Sequence, residues 1–212
     1  MPVGPGRTIR QERSQKTYDA LVAAGFKLLE NSEFESITIA ALAQEAGYSV
    51  GAFYARFESK DEYFEAMVAH HLRDRLSSNE QLLATVAPDR LPEALIEDLV
   101  KYYWQRRQFW RAALLRSTND PDFWGPINAA AQSFLGLLTD RIQTDLGRPL
   151  EEAEDANIRF ATHLVFGMVN NRIVNRPQPS LIGESNFVAN LIRAFRLVSD
   201  YEQLSANPKS AG

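Results

Sequence analysis

The stretch that decides the fold is TIAALAQEAGYSVGAFYARFESK, residues 38–60. Its first half, 39–46, carries apolar residues three or four positions apart, which predicts a short helix with one small apolar face. Thr38 precedes that helix and can cap it with its hydroxyl oxygen, and Gly47 suits the left-handed position that follows a helix. Ser49 can then cap a second short helix. Two short helices joined by a tight turn form a helix-turn-helix.

The second helix of this motif has a buried side and an exposed side. Phe53 and Phe57 lie one turn apart and can anchor it. The other faces then carry Val50, Gly51, Tyr54 and, near the end of the helix, Arg56. A small exposed surface at the start of a helix lets the backbone approach the base edges in the major groove of DNA. We therefore interpret this helix as a recognition helix.

Three polar side chains near the end of the motif are candidates for contact with DNA. Arg56 can bond O6 and N7 of a guanine together, and a contact with phosphate alone is the open alternative. The Tyr54 hydroxyl is better placed for phosphate. Ser59 and Glu62 form a capping box that opens the next helix. Lys60 lies in the first turn of that helix, where its ammonium and the helix N-terminus can share a phosphate.

The motif, with the preceding helix predicted over residues 11–30, resembles the DNA-binding domain of the tetracycline-repressor (TetR) family. The family pattern is roughly T-x-x-x-[IL]-A-x-x-A-G-V-S-x-G-x-[LF]-Y-x-[HR]-F-x-x-K. The positions that match it without a gap are Thr38, Leu42, Ala43, Ala46, Gly47, Ser49, Gly51, Phe53, Tyr54, Arg56, Phe57 and Lys60. The resemblance covers the first third of the chain.

The resemblance implies functional residues and a second domain. Together with the argument above, it predicts DNA contacts from Thr38, Ser49, Val50, Gly51, Ala52, Tyr54, Arg56 and Lys60. It also implies a C-terminal helical domain that binds an effector. Effector binding is then expected to change the separation of the two DNA-reading heads.

Composition limits the class of protein. The chain has 212 residues, a formal net charge of −4 and no cysteine, which excludes disulfides and cysteine–zinc sites. It contains no apolar run near the length of a membrane span and no leader pattern, so we expect a cytoplasmic protein without a membrane partner. Positive charge is concentrated at Arg7, Arg10, Arg13 and Lys16, near the predicted DNA-binding edge.

We predict an all-α fold with an N-terminal helix-turn-helix domain and a larger C-terminal helical domain. The expected boundaries are a mobile basic arm over 1–9, the DNA-binding domain over 10–60 and a connecting helix over 61–80. A ligand-binding and dimerisation domain follows over 81–206, and 207–212 form a tail. Whether the arm touches DNA stays open.

Large aromatic side chains are concentrated between two predicted helices of the C-terminal domain. An aromatic stripe at helical spacing is ordinarily packed core. The domain that the resemblance implies, and the amount of aromatic volume, favour a ligand cavity instead. The predicted effector-binding residues are Trp110, Phe123, Trp124, Phe134, His163 and Phe166.

The predicted helix over 151–175 is apolar on nearly every side in its second half, which is unlike a single exposed amphipathic helix. With the last predicted helix, 187–204, it can form a four-helix interface in a homodimer. The residues predicted at this interface are Leu164, Met168, Val169, Leu191 and Phe195.

The sequence thus predicts a DNA-binding transcriptional regulator of a pseudo-palindromic operator, most simply a repressor released by a small hydrophobic or aromatic effector. A regulator controlled by a protein partner, without a small-molecule pocket, is the alternative. An all-α enzyme is a minor alternative, because paired acids occur only at predicted helix starts, where the helix dipole favours them. No cofactor, metal spacing or catalytic residue is predicted.

Overall fold

The computed structural model describes residues 5–118, 120, 122–175 and 184–206, and these contain helices, turns and loops but no strand. The all-α prediction is therefore confirmed. The helices are α1 Pro5–Leu28, α2 Ile39–Ala46, α3 Val50–Tyr54, α4 Lys60–Thr85, α5 Leu91–Gln105, α6 Arg107–Ser117, α7 Gly125–Leu146, α8 Glu152–Asn175, α9 Glu184–Val198 and α10 Tyr201–Ala206.

The chain divides into two compact units, Met1–His71 and Leu72–Gly212, and the division falls within α4. The first unit holds α1, α2, α3 and the first half of α4. The second holds the rest of α4 and the helices from α5 to α10. The predicted connecting helix, 61–80, thus contributes residues to both units.

The first helix begins earlier than the sequence predicts. Helix α1 starts at Pro5, so residues 5–9 of the expected arm are helical. Proline is well suited to the first position of a helix, because its missing N–H would have no partner there and its φ is already helical. Residues 1–4 of the predicted arm lie outside the described residues.

The core of the first unit is built around Tyr63 in α4, which is fully buried. Its hydroxyl donates to the backbone oxygen of Leu21 in α1 at 2.7 Å. Burial raises the pKa of this hydroxyl, so it stays a neutral donor. The rings of Phe53 and Phe57 lie 5.3 and 5.1 Å from the Tyr63 ring. These aromatic contacts fix α3, as the spacing of the two phenylalanines predicted.

In the second unit, α8 packs on α6, α7 and α9, and α5 packs on α9. Helices α5 and α6 are separated by a break at Arg106. Arg196 of α9 holds α5 by donating to both carboxylate oxygens of Glu93 at 2.8 and 2.9 Å. That ion pair lowers the pKa of Glu93 despite the opposing effect of partial burial.

The last predicted helix, 187–204, is two helices in the structure. Helix α9 ends at Val198, and Asp200 has a left-handed φ of 50° before α10 begins. The Ser199 hydroxyl donates to the backbone oxygen of Phe195 at 2.6 Å, and Tyr201 donates to the backbone oxygen of Pro88 at 2.8 Å. These tertiary and local bonds stabilise a break for which the sequence has no glycine or proline.

Candidate functional site

The helix-turn-helix has the caps that its sequence predicts. The Thr38 hydroxyl accepts from the Ala41 amide at 3.1 Å, and the Ser49 hydroxyl accepts from the Ala52 amide at 3.2 Å. Gly47 follows α2 with φ of 75°, which a residue with a side chain rarely adopts. The turn between α2 and α3 is therefore fixed by hydrogen bonds and by one glycine.

An exposed surface surrounds the start of α3. Val50 is 42% exposed, and Tyr54 is 55% exposed one turn later. Gly51 is also exposed, and a Cβ added there would have only the Ser49 hydroxyl within 4 Å, at 3.7 Å. Ala52 is half-buried. The surface is small at the N-terminal end of α3 and aromatic at its C-terminal end, which suits close approach to a DNA groove.

Tyr48 belongs to the same surface and was missed by the sequence analysis. It is 39% exposed and lies in the turn between Gly47 and the Ser49 cap. The signal was available, because a large aromatic side chain in a tight turn between two short helices has little core within reach. An exposed aromatic hydroxyl beside a recognition helix is a good phosphate donor.

Arg56 lies beyond the end of α3, in the turn that leads to Phe57. Its side chain is half-buried, and its Nε is buried without a hydrogen-bond partner among the described residues. Its Nη1 is 3.4 Å from the backbone oxygen of Ala55. The position is less open than that of the α3 residues, and its role in reading bases stays a prediction.

Lys60 is held within the first unit. Its ammonium donates to the backbone oxygens of Phe34 and Glu35 at 2.7 and 3.1 Å and lies 4.5 Å from the Phe34 ring centre. Partial burial lowers the pKa of this ammonium. The predicted capping box is present in a shifted form, since Ser59 accepts from the Glu62 amide while the Glu62 carboxylate accepts from the Glu58 amide.

The second unit contains a cavity of about 260 Å³. Five of the predicted effector residues line it: Trp110, Trp124, Phe134, His163 and Phe166. The sixth predicted residue, Phe123, is not among the described residues that line the cavity. Phe123 is buried elsewhere, with the Arg116 guanidinium 5.1 Å from its ring centre. Phe123 and Trp124 both belong to the 3-10 turn Asp122–Trp124 that precedes α7.

Helix α4 contributes a wall of the cavity that the sequence analysis did not anticipate. The lining residues from this helix are Leu72, Arg75, Leu76 and Asn79. Their spacing places them on one face of the helix. Arg75 and Asn79 are buried polar residues, with 6% and 4% exposure. A polar residue at an apolar helical position was the available signal.

The remaining polar lining residues are Tyr103, Asn128, Thr162, His163 and Asn170. Asn170 accepts from the Trp110 indole N–H at 2.8 Å, and the Thr162 hydroxyl donates to the backbone oxygen of Ile158 at 2.8 Å. Burial raises the pKa of the Tyr103 hydroxyl, which is therefore neutral at physiological pH.

The predicted dimer residues divide into two groups. Val169, Leu191 and Phe195 are each 4% exposed within a single chain, so they offer little surface to a partner. They pack where α8 and α9 meet neighbouring helices of their own protomer. Leu164 is half-buried and Met168 is 37% exposed, so these two stay available to a partner.

Phe160, one turn before Leu164 on α8, is 64% exposed. It was not among the residues predicted at an interface, because periodicity cannot tell which apolar face packs within the chain. Phe160, Leu164 and Met168 follow each other at i, i+4 and i+8, and so form an apolar stripe on the outer face of α8. Leu197 on α9 is 66% exposed.

The described residues contain no group of three or more side chains suited to holding a metal ion. His71 of α4 is fully buried. Among the described helices, none combines the length and the apolar content that crossing a bilayer requires.

Comparison with known proteins identifies relatives of the first unit. Residues 21–67 match the family model for bacterial regulatory proteins of the tetR family. The uncharacterized HTH-type transcriptional regulator YwcC of Bacillus subtilis (strain 168) is 34% identical over 53 residues, which are 25% of this chain and 24% of YwcC. The match thus spans about a quarter of that relative's length.

Solved structures resemble a larger part of the chain. A TetR transcriptional regulator from Rhodococcus sp. RHA1 aligns with a TM-score of 0.55 at 18% identity, covering 88% of this chain and 97% of the other. The TetR-family regulator PfmR from Thermus thermophilus aligns with a TM-score of 0.57 at 19% identity, covering 85% and 97%. At these identities the likeness concerns the fold.

These relatives are regulatory proteins and not enzymes, in agreement with the sequence prediction. Residues 21–67 thus match the DNA-binding segment of the tetR family of bacterial regulatory proteins, and the fold of the chain is similar to that of solved TetR-family regulators.

Proposed function

We propose that the chain is a DNA-binding transcriptional repressor that acts as a homodimer on a pseudo-palindromic operator. It leaves the operator when a small, largely apolar effector fills the cavity of the second unit. The observation that carries the DNA-binding part is the small exposed surface at the start of α3, between the exposed rings of Tyr48 and Tyr54. Residues 50–52 would face base edges, and the two tyrosines would flank them against phosphates.

The cavity supports control by a small molecule. Its wall is mainly aromatic and aliphatic, with a few polar groups, which is the usual composition of a ligand site. Helix α4 supplies part of that wall and also the Lys60 and Tyr63 contacts of the first unit. An effector that binds one conformation of α4 more tightly than another shifts the population toward that conformation. Because α4 also belongs to the first unit, this shift can change DNA binding.

The apolar stripe of Phe160, Leu164 and Met168 supports self-association. A phenylalanine that is 64% exposed within an apolar stripe marks an interaction surface. In a dimer with two-fold symmetry the same stripe is used by both chains. Two helix-turn-helix units would then address two half-sites about one helical turn apart, as dimeric readers of this class do.

The first experiment is selection of duplexes from a randomised pool by the purified protein. The selected site should bind at least about a thousand times more tightly than a scrambled duplex at physiological salt. Val50→Asp should abolish this preference through repulsion from phosphate, while an aspartate in the first turn of α3 suits the helix dipole. Leu115→Asp is the control, because Leu115 is a similarly exposed apolar residue, at 40%, in the second unit. Equal binding to both duplexes would contradict the proposal.

The effector part is tested by screening small aromatic compounds for release of the selected duplex. Binding should change the tryptophan fluorescence, because Trp110 and Trp124 line the cavity. If no compound changes either the fluorescence or the DNA affinity, control by a protein partner replaces control by a small molecule.

A further inference from the structure

The polar groups of the cavity differ in whether their hydrogen bonds are already made. Asn170 and Thr162 are engaged with Trp110 and with backbone, as described above. Asn128 and His163 are exposed and can bond to solvent. Asn79 is 4% exposed, and its Oδ1 is buried without a hydrogen-bond partner among the described residues. A buried acceptor without a donor costs about 1–3 kcal/mol, so this atom favours a ligand that supplies one.

The charge of the cavity narrows the ligand class further. Arg75 is the charged lining residue and forms an ion pair with Asp98, while its guanidinium carbon lies 4.8 Å from the Tyr102 ring centre. No aspartate or glutamate is among the described residues that line the cavity. A cationic ligand would therefore find no carboxylate among these lining residues to balance its charge. An anionic ligand is not required, because Asp98 already balances the charge of Arg75.

Asn79 and Arg75 lie one turn apart on the same face of α4. A ligand group that meets both must donate to the amide oxygen and accept from a cationic donor. A hydroxyl group does both, whereas a carboxylate offers no donor to Asn79. An aromatic hydroxyl also matches the surrounding rings of Trp110, Phe134 and Phe166.

We propose that the effector is a small phenol, an uncharged aromatic ring system of one or two rings whose hydroxyl donates to Asn79 Oδ1. The cavity of 260 Å³ lies just below the range of about 300–1,000 Å³ of typical ligand sites, which sets the small size. This inference rests on the proposed function, since it assigns the chemistry of the effector to the same cavity.

The test compares 2-naphthol with 2-methylnaphthalene and 2-naphthoate by equilibrium dialysis against the full chain. 2-Naphthol has a hydroxyl where 2-methylnaphthalene has a methyl group of similar size. We expect 2-naphthol to bind at least about ten times more tightly than either other probe, a ratio that corresponds to about 1.4 kcal/mol. Tighter binding of 2-naphthoate would assign recognition to Arg75 and would overturn the inference.

Variants then test the role of Asn79. Asn79→Leu and Asn79→Ala both remove the acceptor and should bring the affinities for 2-naphthol and 2-methylnaphthalene within about threefold of each other. Binding of 2-methylnaphthalene by these variants shows that the cavity is intact. Asn128→Leu makes the same change at an exposed lining residue and should preserve the preference.

The outcomes separate the two proposals. If 2-methylnaphthalene binds the unmodified chain as tightly as 2-naphthol, or if the preference survives in both Asn79 variants, the phenol inference is wrong while the effector cavity stands. If no probe binds and the wider screen for release of DNA also finds nothing, the effector part of the proposed function fails, and the phenol inference fails with it.

Discussion

Gly51 is a residue whose identity is not explained by packing within the chain. A Cβ there would have only the Ser49 hydroxyl within 4 Å, at an ordinary contact distance of 3.7 Å. Glycine in a helix costs stability relative to alanine. Its presence on the exposed face of α3 is explained if another molecule approaches the backbone at this point. In the proposed function that molecule is DNA.

Gly51→Ala should therefore separate stability from binding. We expect unfolding measurements to show stabilisation by about 0.5 kcal/mol, because alanine restricts the unfolded chain and favours the helix. Affinity for the selected duplex should fall roughly tenfold or more, since the added methyl holds α3 away from the groove.

Gly136→Ala in α7 is the matched control, because a Cβ added there has nothing within 4 Å. This variant should gain stability and leave DNA affinity unchanged. Unchanged DNA affinity in Gly51→Ala would instead exclude a close approach at this position.

At the scale of the element, Lys60, the first residue of α4, makes contacts within the chain that the sequence did not predict. The Lys60 ammonium, expected at a phosphate, donates to the backbone oxygens of Phe34 and Glu35. These two carbonyls belong to the short 3-10 turn Phe34–Ser36 that precedes α2. Lys60 thus stabilises the connection between α1 and the helix-turn-helix.

Lys60→Met tests this role, because it keeps the apolar stem and removes the charge. The first unit should lose about 1 kcal/mol of stability, since two carbonyls lose a charged donor at a partly exposed site. The slope of log affinity for DNA against log salt concentration should stay the same. Lys27→Met is the control, because the Lys27 ammonium pairs with Glu45 at an exposed site and its loss should matter much less.

A different result would support the contact of Lys60 with phosphate that the sequence predicts. A fall of the salt slope by about one unit in Lys60→Met, with stability unchanged, is the outcome expected for a lost phosphate contact.

The elements differ in how well sequence could predict them. Thr38, Gly47 and Ser49 act within four residues of themselves, so their caps and the turn followed from local chemistry alone. The break at Asp200 depends on Tyr201 reaching the backbone oxygen of Pro88, a contact 113 residues apart in sequence. A contact between residues so far apart cannot be predicted from the sequence around the break. Asn79 had a local signal, a polar residue at an apolar helical position, but only the packed structure shows that its face of α4 lines a cavity.

At the scale of the whole molecule, helical periodicity identified α8 as a helix with too much apolar surface but could not assign its faces. One face, with Val169, packs inside the protomer, while Phe160, Leu164 and Met168 form the outer stripe. The sequence pattern shows apolar residues on both faces of α8 and does not distinguish the buried face from the exposed one. Their separation requires the positions of α6, α7 and α9, which pack against α8.

The outer stripe leads to a prediction about assembly. Sedimentation velocity at micromolar concentration should show the unmodified protein as a dimer and Phe160→Asp as a monomer with unchanged helical content by circular dichroism. Each substituted chain brings one charge, so a symmetric interface would bury two, and each buried charge without a partner costs several kcal/mol. The monomer should also lose affinity for the selected duplex, because a monomer has one helix-turn-helix unit and binds one half-site at a time.

Leu115→Asp, at an exposed apolar residue of α6 outside the stripe, should stay dimeric. Val169→Asp should instead lower helical content, since its side chain is buried within the protomer. A monomeric unmodified protein, or a dimeric Phe160→Asp variant, would show that the stripe on α8 is not the surface through which two chains associate.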